Sequence, residues 1–260
     1  MRKWLPTTTH IDLPMKRRNL LLPLFAWLFS LPMVAQEPGD SVQTKVLFET
    51  SMGNITIALS NLTPLHRDNF IRLVKEKKYD GLLFHRVIKD FMVQTGDLTT
   101  RLEPTPPPAP AKRNTRTPAK TQKAEPPLQT IPAEICYPAL FHKRGAVAAA
   151  RESDEKNPEH RSSPSQFYII YGWDMNKPTA EYYIHQFDSV FNGKYKSTPE
   201  VIDTYAEKGG TPYLDGLYTV FGEVVEGMDV VARMQAVETD DANKPKEDIR
   251  VIRATIKEEE

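Results

Sequence analysis

From residue 44 onward the chain is built of short runs of β-branched and aromatic residues separated by turn-forming residues. Lys45-Val-Leu-Phe-Glu and Asn54-Ile-Thr-Ile-Ala-Leu predict two strands joined by a hairpin turn at Ser51-Met-Gly-Asn54. Thr63-Pro64 then predicts a helix, with threonine as N-cap and proline at the first helical position. Leu65, Phe70, Leu73 and Val74 give that helix its core face, and Tyr79-Asp-Gly81 ends the segment. Phe84 to Ile88 and Phe91 to Thr95 predict two strands bent at Lys89-Asp90. Side chains alternate along a strand, so His85 and Arg86 face opposite sides while Met92 and Gln94 share one.

The same pattern resumes after a long interruption. Gly145 to Arg151 reads as a buried strand of small residues, where backbone can approach backbone. Gln166 to Tyr171 is a further strand. Tyr183, Phe187, Val190 and Phe191 then fall near helical spacing, Thr198-Pro199-Glu200 starts a second helix, and Gly209-Gly210 stops it. Tyr213 to Gly222 predicts a strand, Met228 to Met234 a helix, and Asp248 to Ile256 a last strand. Many strands with two core helices predict an all-β antiparallel barrel. The 173–212 helical pair is expected to rest on it as decoration, the sharper alternative being a lid or docking surface.

Composition adds two segments that do not belong to this barrel. Met15-Lys-Arg-Arg is followed by an apolar run from Leu20 to Ala35, the layout of a secretory signal peptide over residues 1–35, with Met15 an alternative start. That run is shorter than the roughly twenty residues a spanning helix needs. It predicts export, to a bacterial periplasm, with no stable membrane span after cleavage; an uncleaved N-terminal anchor is the alternative. Residues 36–43 read as a linker. Residues 101–129 gather prolines and lysines and read as a disordered loop. Their basic residues have no interleaved aromatics to stack bases, and 34 basic against 34 acidic residues leave no global field, so no nucleic-acid partner is expected. The single cysteine, Cys136, predicts neither a disulfide nor a zinc site.

The face carrying Arg86, Met92 and Gln94 holds a permanent cation, a thioether and an amide, with no base or nucleophile. That set suits a reaction in which hybridisation changes without covalent change, and rotation about an Xaa-Pro amide is one. Phe84-His-Arg-Val-Ile and Phe91-Met-Val-Gln-Thr-Gly-Asp97, followed in order by Gly145-Ala-Val-Ala-Ala-Ala-Arg151, Ser165-Gln-Phe-Tyr-Ile-Ile170 and Leu214-Asp-Gly-Leu-Tyr-Thr-Val-Phe-Gly222, closely resemble the signature stretches of cyclophilins. These are the peptidyl-prolyl cis-trans isomerases. The resemblance covers residues 44–257 apart from the insertions at 101–129 and 173–212.

The resemblance implies a closed eight-stranded barrel capped by a helix at either end. It also implies catalysis by Arg86 with Gln94, and a proline pocket built from Phe91, Met92, Tyr168, Leu214 and Phe221. Ala149, Ala150 and Gln166 would line the groove, the alanine segment through main-chain hydrogen bonds. Arg151 departs from the small residue common there and could narrow one end. Tyr168 replaces the usual pocket phenylalanine, and its hydroxyl would need a partner or shrink the pocket. Tyr218 stands where histidine is common. Tyr213 takes the place of a tryptophan that contacts peptide and cyclosporin in many animal members, which implies weak cyclosporin sensitivity. No cofactor or metal is expected; the implied partners are unfolded or flexible proline-containing polypeptides, and the chain is expected to be a monomer. The other reading is a cyclophilin-like peptide-binding chaperone or scaffold whose altered pocket has displaced catalysis.

Overall fold

In the computed structural model the described residues are 42–101 and 128–257. The chain divides into units of residues 1–40 and 41–260, and every described residue belongs to the second. The expected signal peptide, nearly all of the linker and nearly all of the Pro/Lys-rich loop lie outside the described residues.

Eight strands form one antiparallel sheet: β1 (Lys45–Thr50), β2 (Gly53–Leu59), β3 (Arg86–Ile88), β4 (Met92–Thr95), β5 (Ala146–Ala149), β6 (Phe167–Ile170), β7 (Val220–Glu226) and β8 (Val251–Ile256). Their order is β3-β4-β6-β5-β7-β2-β1-β8. β1 and β2 pair from Lys45↔Ala58 to Thr50↔Gly53, so the loop is the two residues Ser51 and Met52. Helix α1 (Pro64–Lys75) packs beside β8, and α4 (Met228–Gln235) packs against β2, β3 and β4. Between them in sequence the insertion supplies α2 (Lys177–Val190) and α3 (Pro199–Lys208).

The sheet is a curled half-barrel and does not close, which corrects the expected closed barrel. β3 and β8 are its free edges. They approach at one isolated bridge, Leu83↔Arg250, in the segments ahead of them. That meeting is carried by Phe84 N–H on Ile249 O at 2.9 Å, Val251 N–H on Leu82 O at 2.9 Å and Gly81 N–H on Val251 O at 2.8 Å, and it does not continue into β3. Leu83 N–H goes to Thr100 Oγ1 at 3.1 Å, Leu83 O accepts from Thr95 Oγ1 at 2.8 Å, and Val87 N–H goes to the loop carbonyl of Asn243 at 2.8 Å.

Alternation along the strands makes two different faces. The concave face is filled by Phe48, Phe70, Tyr79, Phe167 and Phe221, whose ring centroids lie 5.0 to 6.4 Å apart. Each such ring pair contributes about 0.5–1.5 kcal/mol beyond its burial. The opposite face of β4, β5, β6 and β7 carries Met92, Ala146, Ala148, Tyr168, Ile170 and Val220. Phe91, Leu140, Leu214 and Tyr218 pack on it from the connecting segments.

Several local expectations are corrected. Thr63 is the N-cap residue of α1, but its side chain makes no cap and its hydroxyl is buried without a partner among the described residues. The Glu134 carboxylate caps the helix instead, accepting from Leu65 N–H at 3.1 Å and His66 N–H at 3.0 Å. Leu65 is 52% exposed, and His66 takes its place on the buried face. In α2 the buried positions are Ala180, Ile184 and Phe187, while Val190 is 72% exposed. The strand expected over Tyr213–Gly222 begins only at Val220; Pro212–Leu214 is a single 3-10 turn followed by Gly216 at φ 72°.

Candidate active site

The bend between β3 and β4 sets the site. Asp90 turns it in the left-handed region at φ 55°, its N–H held by the Gln235 side chain of α4 at 2.8 Å. The tight register that follows puts Arg86 opposite Gln94, and Gln94 opposite Tyr168 on β6. Gly96 ends β4 at φ 90°, where a Cβ would collide with the Ser165 carbonyl, so β4 can lie close to the approach to β6.

Arg86, Phe91, Met92, Gln94, Ala150, Tyr168, Leu214 and Tyr218 surround one cavity, together with Arg151, and its volume is about 150 Å³. An engineered apolar cavity of about that volume takes up a benzene ring, so a single pyrrolidine ring is the right scale of occupant. Arg86 Nη1 donates to Gln94 Oε1 at 3.2 Å, and Gln94 Nε2 donates to Gln166 Oε1 at 3.1 Å. This relay of amides fixes which end of Gln94 faces the guanidinium. Arg86 has no carboxylate partner among the described residues, so its charge is not neutralised beside the cavity.

Four of the expected site residues stand elsewhere. Phe221 is not in the pocket: it lies in the concave core, 5.3 Å from the Phe70 ring and 6.0 Å from His66. Strand alternation explains this, because Val220 pairs with Ala148 and faces the cavity side, which turns its neighbour inward. Ala149 also faces the concave core. Gln166 reaches the cavity only through Gln94. Tyr213 sits at the lip, 48% exposed, with its ring 6.0 Å from Phe91. The backbone of Ala150 is already engaged, its N–H on Gln166 O at 3.0 Å and its carbonyl accepting from Ser163 N–H at 2.7 Å. A peptide could use only the second lone pair of that carbonyl.

Arg151 forms a wall of the cavity, as its size suggests, and it is locked there. Its guanidinium lies 4.5 Å over the Tyr218 ring, Nε donates to Leu217 O at 3.0 Å, and Nη1 donates to Glu152 O at 3.0 Å and Asp154 Oδ1 at 2.5 Å. Only 4% of its side chain is exposed. The Tyr168 hydroxyl has its partner too, His142 Nε2 at 3.2 Å. Burial pushes the Tyr168 phenol well above its ordinary range and raises that of Tyr213, so neither tyrosine serves as a base at neutral pH.

Two neighbours were not evident from the sequence. Trp173 stacks on Tyr213 at 5.6 Å and 10°, widening the aromatic lip; its place at the start of an insertion hid it. His142 lies outside every motif. Among the described residues no group of three or more His, Cys, Asp or Glu side chains is arranged to hold a metal ion.

A site of this kind can grip a small ring and donate a charged hydrogen bond to it, and supplies no nucleophile or base. Of the changes a peptide can undergo, rotation about a prolyl amide fits, which is the chemistry of the prolyl isomerases. A family model described as cyclophilin type peptidyl-prolyl cis-trans isomerase/CLD matches residues 45–256, and the chain belongs to that family. A Staphylococcus saprophyticus protein bearing a peptidyl-prolyl cis-trans isomerase name is 29% identical over 211 residues, 80% of this chain and 89% of that protein. A Staphylococcus aureus protein of the same name is 27% identical over 217 residues, 80% and 88%. The crystal structure of a Cryptosporidium parvum cyclophilin type peptidyl-prolyl cis-trans isomerase covers 84% of this chain and all of its own, with a TM-score of 0.56 at 21% identity. A crystal structure of that protein in the presence of the dipeptide Ala-Pro gives a TM-score of 0.54 at 22% identity, covering 83% of this chain and 99% of its own. At such identities these two likenesses bear on the fold alone.

Proposed function

We propose that this cyclophilin-type isomerase accelerates Xaa-Pro rotation in exported polypeptides, with the proline ring in the cavity beside Arg86. The observation that carries the reading is an unneutralised guanidinium, held by Gln94, at the edge of a cavity of about 150 Å³ to which Phe91, Met92 and Leu214 give an apolar side.

The uncatalysed amide faces a barrier of about 18–20 kcal/mol and takes tens to hundreds of seconds to turn over. Reaching milliseconds needs a factor near 10⁴ to 10⁵, or about 5–7 kcal/mol of extra grip on the twisted amide. As the amide twists, the prolyl nitrogen loses conjugation and regains a lone pair, which Arg86 can meet with an N–H. A charged donor contributes about 1.5–3 kcal/mol, more where water is excluded. The remainder has to come from contacts made as the chain before the ring turns, while Phe91, Met92, Tyr168 and Leu214 anchor the ring itself. Gln166 serves this step through Gln94, whose Nε2 donates to Gln166 Oε1 at 3.1 Å and so keeps Gln94 Oε1 on the guanidinium.

Export and a role in folding rest on the basic and apolar run before Ala35. In a periplasm such an enzyme acts on newly translocated chains with proline-limited folding. With tyrosine at 213, weak cyclosporin inhibition goes with this reading. The experiment is a protease-coupled proline-peptide assay of wild type and Arg86→Ala, beside N-terminal sequencing of protein recovered after secretion. Equal rates for the two proteins would leave only the peptide-binding chaperone; a mature chain still beginning at Met1 or Met15 would remove signal cleavage.

A further inference from the structure

Tyr168 floors the cavity with a ring whose hydroxyl is buried, and a buried hydroxyl left unpaired costs about 1–3 kcal/mol. His142 supplies the partner from behind, Nε2 to hydroxyl 3.2 Å, with the two rings 17° from parallel. His142 is in turn held by Asp215: its Nδ1 lies 2.8 Å from Oδ1, and its backbone N–H donates to the same oxygen at 2.8 Å. The other oxygen, Oδ2, accepts from the Tyr205 hydroxyl at 2.7 Å. The side chains of His142 and Asp215 are 1% and 0% exposed.

Chemistry fixes the direction of this chain. A carboxylate only accepts, so Nδ1 carries a proton, and in the neutral ring Nε2 is left to accept from Tyr168. Tyr205 belongs to α3 of the insertion, so four buried groups run from the inserted helices to the floor of the cavity. Backbone contacts brace the same path. Thr211 N–H donates to His142 O at 2.9 Å and Arg144 N–H to Gly209 O at 3.0 Å. Gly210 lies so close to the His142 carbonyl that any Cβ would collide with it.

We propose that His142 is a positioning residue of the isomerase site, fixing the Tyr168 ring as the floor of the proline pocket, and that the 173–212 insertion acts on catalysis through Tyr205 and Asp215. The proposal rests on the cavity being the proline pocket. Without His142 the Tyr168 hydroxyl has to find another partner. The polar side chains on the cavity side are the guanidiniums of Arg86 and Arg151, the Gln94 amide and the Tyr218 hydroxyl, so a tyrosine re-aimed at any of them would occupy the space meant for the proline ring. The floor binds that ring in ground and transition states alike, so the loss falls on KM more than on kcat.

The test is a double-mutant cycle with His142→Asn, whose amide can still donate to Asp215 but cannot reach Tyr168. Rates on an Ala-Pro tetrapeptide and the affinity of the same peptide by calorimetry are measured in the Tyr168 and Tyr168→Phe backgrounds. The expected result is a loss of about tenfold in kcat/KM and in affinity with Tyr168 present, shrinking to less than about twofold once the hydroxyl is gone. Tyr205→Phe is expected to give a loss of about threefold that shrinks in the same way, and its cycle decides the question if His142→Asn does not fold. Equal losses in both backgrounds, or no loss with Tyr168 present, would overturn the proposal. Arg86→Ala, run alongside, separates the two ideas: a rate equal to wild type would remove the isomerase reading, while the His142–Tyr168 coupling would still be read in peptide affinity.

Discussion

The two faces of the curled sheet are made by the same strands and behave as opposites. In β6, Phe167 points into a closed stack of five aromatic rings, while its neighbour Tyr168 floors an open cavity. In β7, Phe221 joins the stack while Val220 lies on the cavity side. The concave face is filled by large rings in mutual contact. The other is made from alanines, a methionine and a tyrosine with a buried tether, which leaves room for a ring that the chain itself does not supply. Filling one face provides the stability that allows the other to stay partly empty.

This contrast makes predictions that differ by face. The largest effect is expected from Phe221→Ala, which opens the aromatic stack and should cost about 3–5 kcal/mol in urea unfolding. Little loss of stability with a large loss of rate would move Phe221 into the pocket and erase the distinction. Next is Arg86→Ala on the open face, expected to lower kcat/KM by about 10²–10³ while the urea midpoint stays within about 0.5 kcal/mol of wild type. A smaller effect is expected where the concave side is capped. Glu134→Gln should weaken the α1 N-terminus by about 1 kcal/mol, read as a lower melting temperature at unchanged kcat/KM.

The smallest effect is a pH dependence. Burial holds the His66 imidazole below its ordinary pKa despite Glu134 Oε2 at 2.6 Å, and burial likewise lowers His85. The unfolded chain therefore binds protons that the folded chain refuses, and stability rises with pH across that window. It is complete above about pH 6.5 and is lost as pH falls through the lowered folded values. Melting temperatures at several pH values from neutral downward, with and without His66→Asn, would check it; a melting temperature that climbs on acidification would contradict the sign.

The site was legible where chemistry follows a short run of sequence. Arg86, Met92 and Gln94 come from one hairpin, so alternation alone brings them together, and the register Arg86↔Gln94 obeys it. Only the resemblance puts Phe221 in the pocket; the structure turns it inward because its neighbour Val220 pairs with Ala148 on the cavity side. The pattern Tyr213–Gly222 looks like one strand, but a 3-10 turn and Gly216 break it, and β5 slips register against β7 between Val147 and Ala148. The closed barrel is not formed because β3 and β8 meet only in the segments ahead of them, around Leu83 and Arg250, and Val87 N–H of β3 is taken by the loop carbonyl of Asn243. Least legible was the tether behind Tyr168. Its partners His142, Asp215 and Tyr205 come from two loops and an inserted helix, 73 and 10 residues apart along the chain, and no local pattern links them. A tyrosine in an otherwise apolar pocket was the only sequence signal that some partner had to exist.

The central claim is that the Arg86 guanidinium, beside the open cavity, favours the twisted prolyl amide. Magnetisation-exchange NMR on an Ala-Pro peptide reads cis and trans interconversion at equilibrium, with no coupled protease. With wild-type protein, exchange is predicted on the millisecond scale instead of the tens of seconds of the free amide; with Arg86→Ala it should slow by about 10²-fold or more while the peptide still binds. Exchange equally fast with both proteins would contradict the account.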